Sequence, residues 1–246
     1  MNIEDENEIK KEFQLERLIF FSDAVFAIII TIMILDVKLP EALIHPTEAE
    51  SKKALLEIMP KVLGYGVSFT VIGALWMNHL KIFSFLKDYN YQLLVLNLLF
   101  LFSISLFPFA LSFIFTSSYV LQYTWGVYTY IGITQMSLFT QTILTGYMIR
   151  NKEELCINTK DIESGLAWKA KKINLISLPI IIALMVCALY IHISPYIVYG
   201  SFVIREIIIR IIIRKLYPHY NEDKVTLLSF FRKKTHSKLS SKRAHK

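Results

Sequence analysis

The first residues with chemistry to explain stand inside an apolar run. In "RLIFFSDAVFAIIITIMILDVKLP", residues 17–40, apolar side chains continue almost unbroken from Leu18 to Leu39, yet Asp23 sits within the first turns. An ionised carboxylate in hydrocarbon costs at least ~2.5 kcal/mol on insertion scales, so such a residue faces protein or water. Asn78 and His79 in "WMNHLK" and Asn97 in "NLLFLFSISLFPF" are placed in the same way. A carboxylate with an imidazole can serve as an acid–base pair or a proton relay. No nucleophile motif of the GxSxG or HExxH type accompanies them. Zinc and haem spacings, GxxxxGK[ST] and GxGxxG are also missing from the sequence. Neither a catalytic site nor a metal or cofactor site is expected, and the chain is not read as an enzyme.

The elements that must position these residues are membrane helices. The chain has 246 residues, 54% hydrophobic and 19% charged, too apolar for an ordinary soluble domain. A helix needs roughly 20 mainly apolar residues to cross a bilayer, and six stretches qualify: about 18–39, 55–80, 92–115, 123–149, 173–193 and 195–216. The expected class is therefore all-α, a polytopic membrane protein with six transmembrane helices. Runs such as "AIIITIMIL" exclude the alternating strands of an outer-membrane barrel. The segment before the first span has no signal-peptide pattern, so that span is expected to stay in the protein. Cys156 falls in an expected loop and Cys187 inside span 5, so no disulfide between them is expected.

Lysine and arginine give the orientation, because loops on the cytoplasmic side are enriched in both. Lys10, Lys11 and Arg17 precede span 1, Lys81 and Lys87 follow span 2, and Arg150, Lys152, Lys160, Lys169, Lys171 and Lys172 follow span 4. The turns at 116–122 and 194–196 have none, and the lysines around 40–54 are offset by Glu41, Glu48, Glu50 and Glu57. Both termini are expected in the cytoplasm, as an even number of crossings requires. The domain reading is 1–16 as a cytoplasmic N-terminus, 17–216 as the six-helix membrane domain and 217–246 as a basic cytoplasmic tail. The net charge of +7 follows this topology. The tail suits anionic lipid headgroups, at roughly 1 kcal/mol per basic residue, and nothing points to nucleic acid.

Antiparallel packing of spans 1 to 3 brings Arg17, Asp23, His79 and Asn97 to similar depth, where buried polar groups can partner one another. At about 100° per residue, Arg17, Phe21, Ala24, Ile28, Thr31, Ile32 and Leu35 share one stripe of span 1. Asp23 lies roughly 140° from Ile28 and Ser22 about 120° away on the other flank. If the Ile28 stripe faces a pore, Asp23 must face neighbouring helices and act as an anchor, not an ion ligand. Taken alone, the stripe reads first as a lipid-facing or packing face, and Asn97 or Trp76 singly as an ordinary interhelical hydrogen bond.

"RLIFFSD" resembles the R-x-x-x-F-S-D pattern that opens the first span of the transmembrane protein 175 potassium channels. "AVFAIIITIMIL", "WMNH" and "NLLFLFSISLFPF" extend the likeness through spans 1 to 3; spans 4 to 6 agree in number and length. The resemblance implies a potassium-conducting cation channel of leak type in a prokaryotic plasma membrane, with potassium as the permeant species and no cofactor. It has no TVGYG filter. The resemblance also implies that span 1 lines the pore, with Ile28, Ile32 and Leu35 at the constriction and Thr31 affecting potassium preference. Arg17, Phe21, Ser22, Asp23, Trp76, Asn78, His79 and Asn97 carry over as the motif network with spans 2 and 3. A single six-span repeat implies a homotetramer, a closed ring of the ordinary kind.

Span 6 fits this reading least well. Arg205, Glu206, Arg210 and Arg214 lie in it, without the every-third spacing of a voltage sensor. Glu206 and Arg210 can pair at i,i+4, Arg210 and Arg214 can snorkel, and Arg205 is deep enough to need a protein partner. The alternative to a channel is a secondary transporter or a proton-conducting protein that uses the Asp23/His79 cluster. Transporters favour internal repeats and broken helices at the midplane, and the two halves of this chain show no similarity.

Overall fold

The computed structural model describes residues 3–37, 47–116, 120–157, 159–160, 162–191 and 195–216. Every regular element named among them is helical. Four helices are long and apolar enough to cross a membrane: Lys11–Leu35, Glu48–Phe83, Tyr91–Thr116 and Trp168–Ala188. The chain is a helical membrane protein. The expected tail, 217–246, lies outside the described residues.

Helix α1 runs from Ile3 to Ile32 and tightens into a 3-10 turn over Met33–Asp36. Neither proline nor glycine interrupts it. Its buried positions are Leu15, Leu18, Ser22, Phe26, Ile29 and Met33, spaced by three or four as one helix face requires. Helix α2, Glu48–Phe83, starts with a capping box. The Thr47 hydroxyl accepts from the Glu50 backbone N–H, and the Glu50 carboxylate accepts from the Thr47 N–H at 2.8 Å. These bonds satisfy donors that the first turn would otherwise leave open. Buried Ser68, Ile72, Leu75, His79 and Ile82 alternate in steps of four and three, the spacing of a seam that packs along a neighbouring helix.

The stretch expected as one span over 92–115 is one apolar stretch long enough to cross, Tyr91–Thr116, built from two helical segments, α3 (Tyr91–Ser105) and α4 (Phe107–Thr116). The break falls at Leu106, next to Phe107–Pro108. Proline has no N–H for the i−4 bond and restricts the residue before it. Asn90 caps α3 by accepting from the Leu93 N–H at 2.9 Å.

Helix α5, Val120–Arg150, touches α3, α4, α9, α10 and α2 and is the axis of the bundle. It is absent from the four apolar spans because Thr134, Gln135, Ser137, Gln141, Thr142 and Thr145 are buried along it. Several of these hydroxyls bond back to the i−4 carbonyl, as Ser137 does to Ile133 at 2.9 Å and Thr145 to Gln141 at 2.8 Å. Short helices α6 (Lys152–Leu155), α7 (Ile162–Gly165) and α8 (Trp168–Lys171) lead into α9 (Ile173–Tyr190) and α10 (Pro195–Leu216).

Three apolar clusters hold this arrangement together. One gathers Phe26, Ile29, Met33, Ile72, Phe100 and Ile104 around α1 to α3. Another ties Leu15 and Leu18 to Phe83, Leu86, Leu155 and Leu166 at the lysine-rich end. A third, around Tyr128, Ile131 and Ile181, joins α5 to α9 and α10. Cys156 and Cys187 are both free thiols.

Candidate functional site

The polar residues of α1 to α3 form a directed chain. The Ser22 hydroxyl donates to the Leu18 carbonyl at 3.0 Å, so it accepts from Asn97 Nδ2 at 2.9 Å. That orientation turns Asn97 Oδ1 toward His79 Nε2, 2.9 Å away, which must then carry the hydrogen. The direction is therefore His79 to Asn97 to Ser22 to a backbone carbonyl. All three side chains are at most 1% exposed, and each bond removes a burial penalty of about 1–3 kcal/mol. The His79 ring is held between Phe83 at 4.1 Å and Phe100 at 5.4 Å, with Phe26 tilted against it at 5.7 Å.

Asp23 is outside this chain. It is half-buried, and its Oδ1 accepts from Trp76 Nε1 at 2.8 Å. Trp76 is one turn before His79 on α2, so α2 holds α1 directly through Trp76 and, by way of Asn97 on α3, indirectly through His79. Asp23 and His79 share no hydrogen bond, and the acid–base couple considered from the sequence is not assembled.

Other motif residues stay apart. Arg17 and Phe21 are exposed, on the flank that the helical wheel shares with Ile28. Arg17 makes no hydrogen bond or ion pair among the described residues. Asn78 is half-buried and makes no hydrogen bond among the described residues. Among the described residues the motif is therefore one chain, His79–Asn97–Ser22, and one pair, Trp76–Asp23, without Arg17, Phe21 or Asn78. The reason is angular: Arg17 and Phe21 point away from α2 and α3.

The rest of the α1 stripe is open. Ile28 is 59% exposed, Ile32 46% and Leu35 67%, and Thr31 is exposed between them. Leu35 belongs to the 3-10 turn, where residues three apart eclipse, so it stands directly over Ile32. Thr31 Oγ1 donates to the Ala27 carbonyl at 2.8 Å or to that of Ile28 at 3.0 Å. Its hydrogen is thus directed at the backbone, and its lone pairs face outward.

Residues 17–108 match the family described as "Endosomal/lysosomal potassium channel TMEM175". The chain is 41% identical over 139 residues to a potassium channel of Chryseobacterium sp., covering 56% of this chain and 67% of that one. The chain belongs to the TMEM175 family. The family is one of ion channels, not of enzymes. A potassium channel of Streptomyces collinus is 41% identical over 93 residues, 36% of this chain and 41% of that one. The endosomal/lysosomal proton channel TMEM175 of Gallus gallus is 30% identical over 96 residues, 39% of this chain and 19% of the bird protein. The fold is that of the crystal structure of a TMEM175 homologue from Chamaesiphon minutus, with a TM-score of 0.63 at 24% identity over 80% of this chain and 97% of that one.

Several polar partners were not singled out in the sequence. Gln141 Nε2 donates to the Leu75 carbonyl at 3.0 Å, and Ser103 and Thr140 lie 3.2 Å apart. The signal available for them was the density of Thr, Ser and Gln over 134–145 in an otherwise apolar helix.

Proposed function

We propose that this TMEM175-family chain is one subunit of a potassium-conducting leak channel of the plasma membrane. Four copies surround the pore, each crosses the bilayer six times, and both termini are cytoplasmic. Residues 17–216 form the channel domain between the N-terminus, 1–16, and the basic tail, 217–246. Helix α1 lies nearest the axis. Ile28, Ile32 and Leu35 form the constriction, and Thr31 biases conduction toward potassium.

The observation that carries this reading is the division of α1 into two faces. Ser22, Phe26, Ile29 and Met33 are buried against the subunit, while Ile28, Thr31, Ile32 and Leu35 are left open. A ring of branched aliphatic side chains excludes water when closed and passes a partly hydrated ion when wider. Thr31, its hydrogen directed at its own helix, presents only lone pairs and suits a cation.

The channel reading is favoured over proton relay through Asp23 and His79. A relay must pass a proton onward, whereas the His79 chain ends on the Leu18 carbonyl. Single-channel currents in planar bilayers from the purified chain test the proposal. Coupled transport without unitary currents would overturn it.

A further inference from the structure

Arg205 on α10 is engaged within the bundle, where it donates to Asn174, Ser177 and Glu206. It thus has the protein partner that its depth demands, with Glu206 as its own neighbour instead of a Glu206–Arg210 pair. The Arg210 and Arg214 side chains lie outside the described residues. A charged contact that does stay open to solvent stands elsewhere, where α1 meets the corner between α2 and α3.

That corner, residues 84–90, is a firm seat. The Lys87 and Asp88 N–H groups both donate to the Leu155 carbonyl, at 2.8 and 3.4 Å, and the Ile157 N–H donates to the Phe85 carbonyl at 2.9 Å. Leu86 and Cys156 form an antiparallel bridge, and both are at most 5% exposed. Lys87 Nζ donates to the Glu153 carbonyl at 3.0 Å, and Asn90 Nδ2 to the Tyr147 hydroxyl at 2.8 Å. Backbone bonds and buried packing therefore fix the corner to α5 and α6. The Asp88 carboxylate is fixed with it: Oδ1 accepts from the Tyr89 N–H at 2.8 Å, and Oδ2 is turned to α1.

Helix α1 is held there by weaker means. Between Lys11 and Phe21 its hydrogen bonds to other elements, among the described residues, are Lys11 Nζ to Asp88 Oδ2 at 3.1 Å and Gln14 to the Tyr89 hydroxyl. Residues 11–14 are exposed, and burial begins at Leu15. The Lys11 side chain is 62% exposed and that of Asp88 26%. An exposed pair of this kind shifts a two-state equilibrium by up to roughly fivefold. Salt reaches it: the Debye length falls from about 30 Å at 0.01 M to about 3 Å at 1 M, the separation of the pair itself. The His79–Asn97–Ser22 bonds, at most 1% exposed, are screened far less.

We propose that Asp88 is a positioning residue for α1, and that its bond to Lys11 is a latch which salt releases. Latched, α1 is seated on the corner from Lys11 onward; released, its seat begins at Leu15. The latch itself does not depend on α1 lining a pore. Taken with the topology and pore proposed above, it makes the seating of the pore-lining helix respond to cytoplasmic ionic strength.

The test is amide hydrogen exchange of the full-length protein in detergent, at fixed pH, as potassium chloride rises from about 0.01 to 1 M. Local opening sets the exchange rate, so protection over residues 11–16 should fall by up to roughly fivefold, while residues 97–104 in α3 stay constant and report an intact fold. Asp88→Asn keeps an acceptor for the Tyr89 N–H and should remove the salt response. Asp88→Lys sets two cations against each other without altering α1, and its response should reverse, protection rising with salt. Adding Lys11→Glu to Asp88→Lys should restore the wild-type sign. A wild-type segment 11–16 that ignores salt, or an Asp88→Lys response of wild-type sign, overturns the proposal. Because the readout is exchange along α1 and not current, a failure here is distinct from a failure to conduct potassium.

Discussion

Asn97 is the residue on which the α1–α3 contact turns, because it accepts on one side and donates on the other. Asn97→Leu should cost about 1–3 kcal/mol by leaving the His79 donor buried and unpaired, seen as a lower midpoint in thermal unfolding in detergent. The pair His79→Phe with Asn97→Leu should recover much of that loss, since apolar groups of similar shape replace both partners and the stacking on Phe83 and Phe100 survives. Asp23→Asn should be milder than Asp23→Ala, since an amide oxygen still accepts from Trp76. At the proposed constriction, Ile28→Asn should wet the ring and raise open probability or conductance in bilayer recordings, while Thr31→Ala should lower potassium preference with conductance roughly kept. Ile30, half-buried against the core, is the control; equal effects at Ile28 and Ile30 would assign the wrong face. The sequence placed Arg17, Asp23, His79 and Asn97 at one depth because polar residues in apolar runs must be partnered, and of these the structure joins His79 to Asn97 and gives Asp23 to Trp76. It did not show the exclusion of Arg17 and Phe21, which depends on where α2 and α3 sit around α1.

Among the elements, α1, α2 and α9 were legible from apolar run length alone. The split of α3 from α4 was also written in Phe107–Pro108, but a hydropathy reading passes over a proline that lies among phenylalanines. The polar face of α5 was not legible as a core, because its hydroxyls are satisfied by the helix itself, α3 and α9 and its Gln141 amide by α2, and sequence shows no such partners. Close approach between α4 and α5 rests on Gly126: a Cβ there would stand 3.1 Å from Ile114 backbone atoms. Gly126→Leu should therefore force the helices apart and cost about 1–3 kcal/mol, measured as reduced thermal stability. Gly132, where an added Cβ would meet only Met185 at 4.0 Å, should tolerate Ala with little change.

For the whole molecule, a tetramer is expected because one copy leaves Ile28, Ile32 and Leu35 open together. Native mass spectrometry in mild detergent should give four chains, and cysteine at Ile28 should react with water-soluble reagents. A monomer, or labelling from the lipid phase alone, would remove the basis for the proposed pore. Helix α1 also continues well past this stripe, without proline or glycine, to Ile3. Near its far end Lys11 Nζ meets Asp88 Oδ2 at 3.1 Å and Gln14 bonds the Tyr89 hydroxyl, both on the corner between α2 and α3. Lys11 and Ile28 are 17 positions apart, about 25 Å along a rigid helix. Between them Ser22 and Asp23 are bonded to α3 and α2, so α1 is pinned at two heights and the direction in which Ile28 points is set by both.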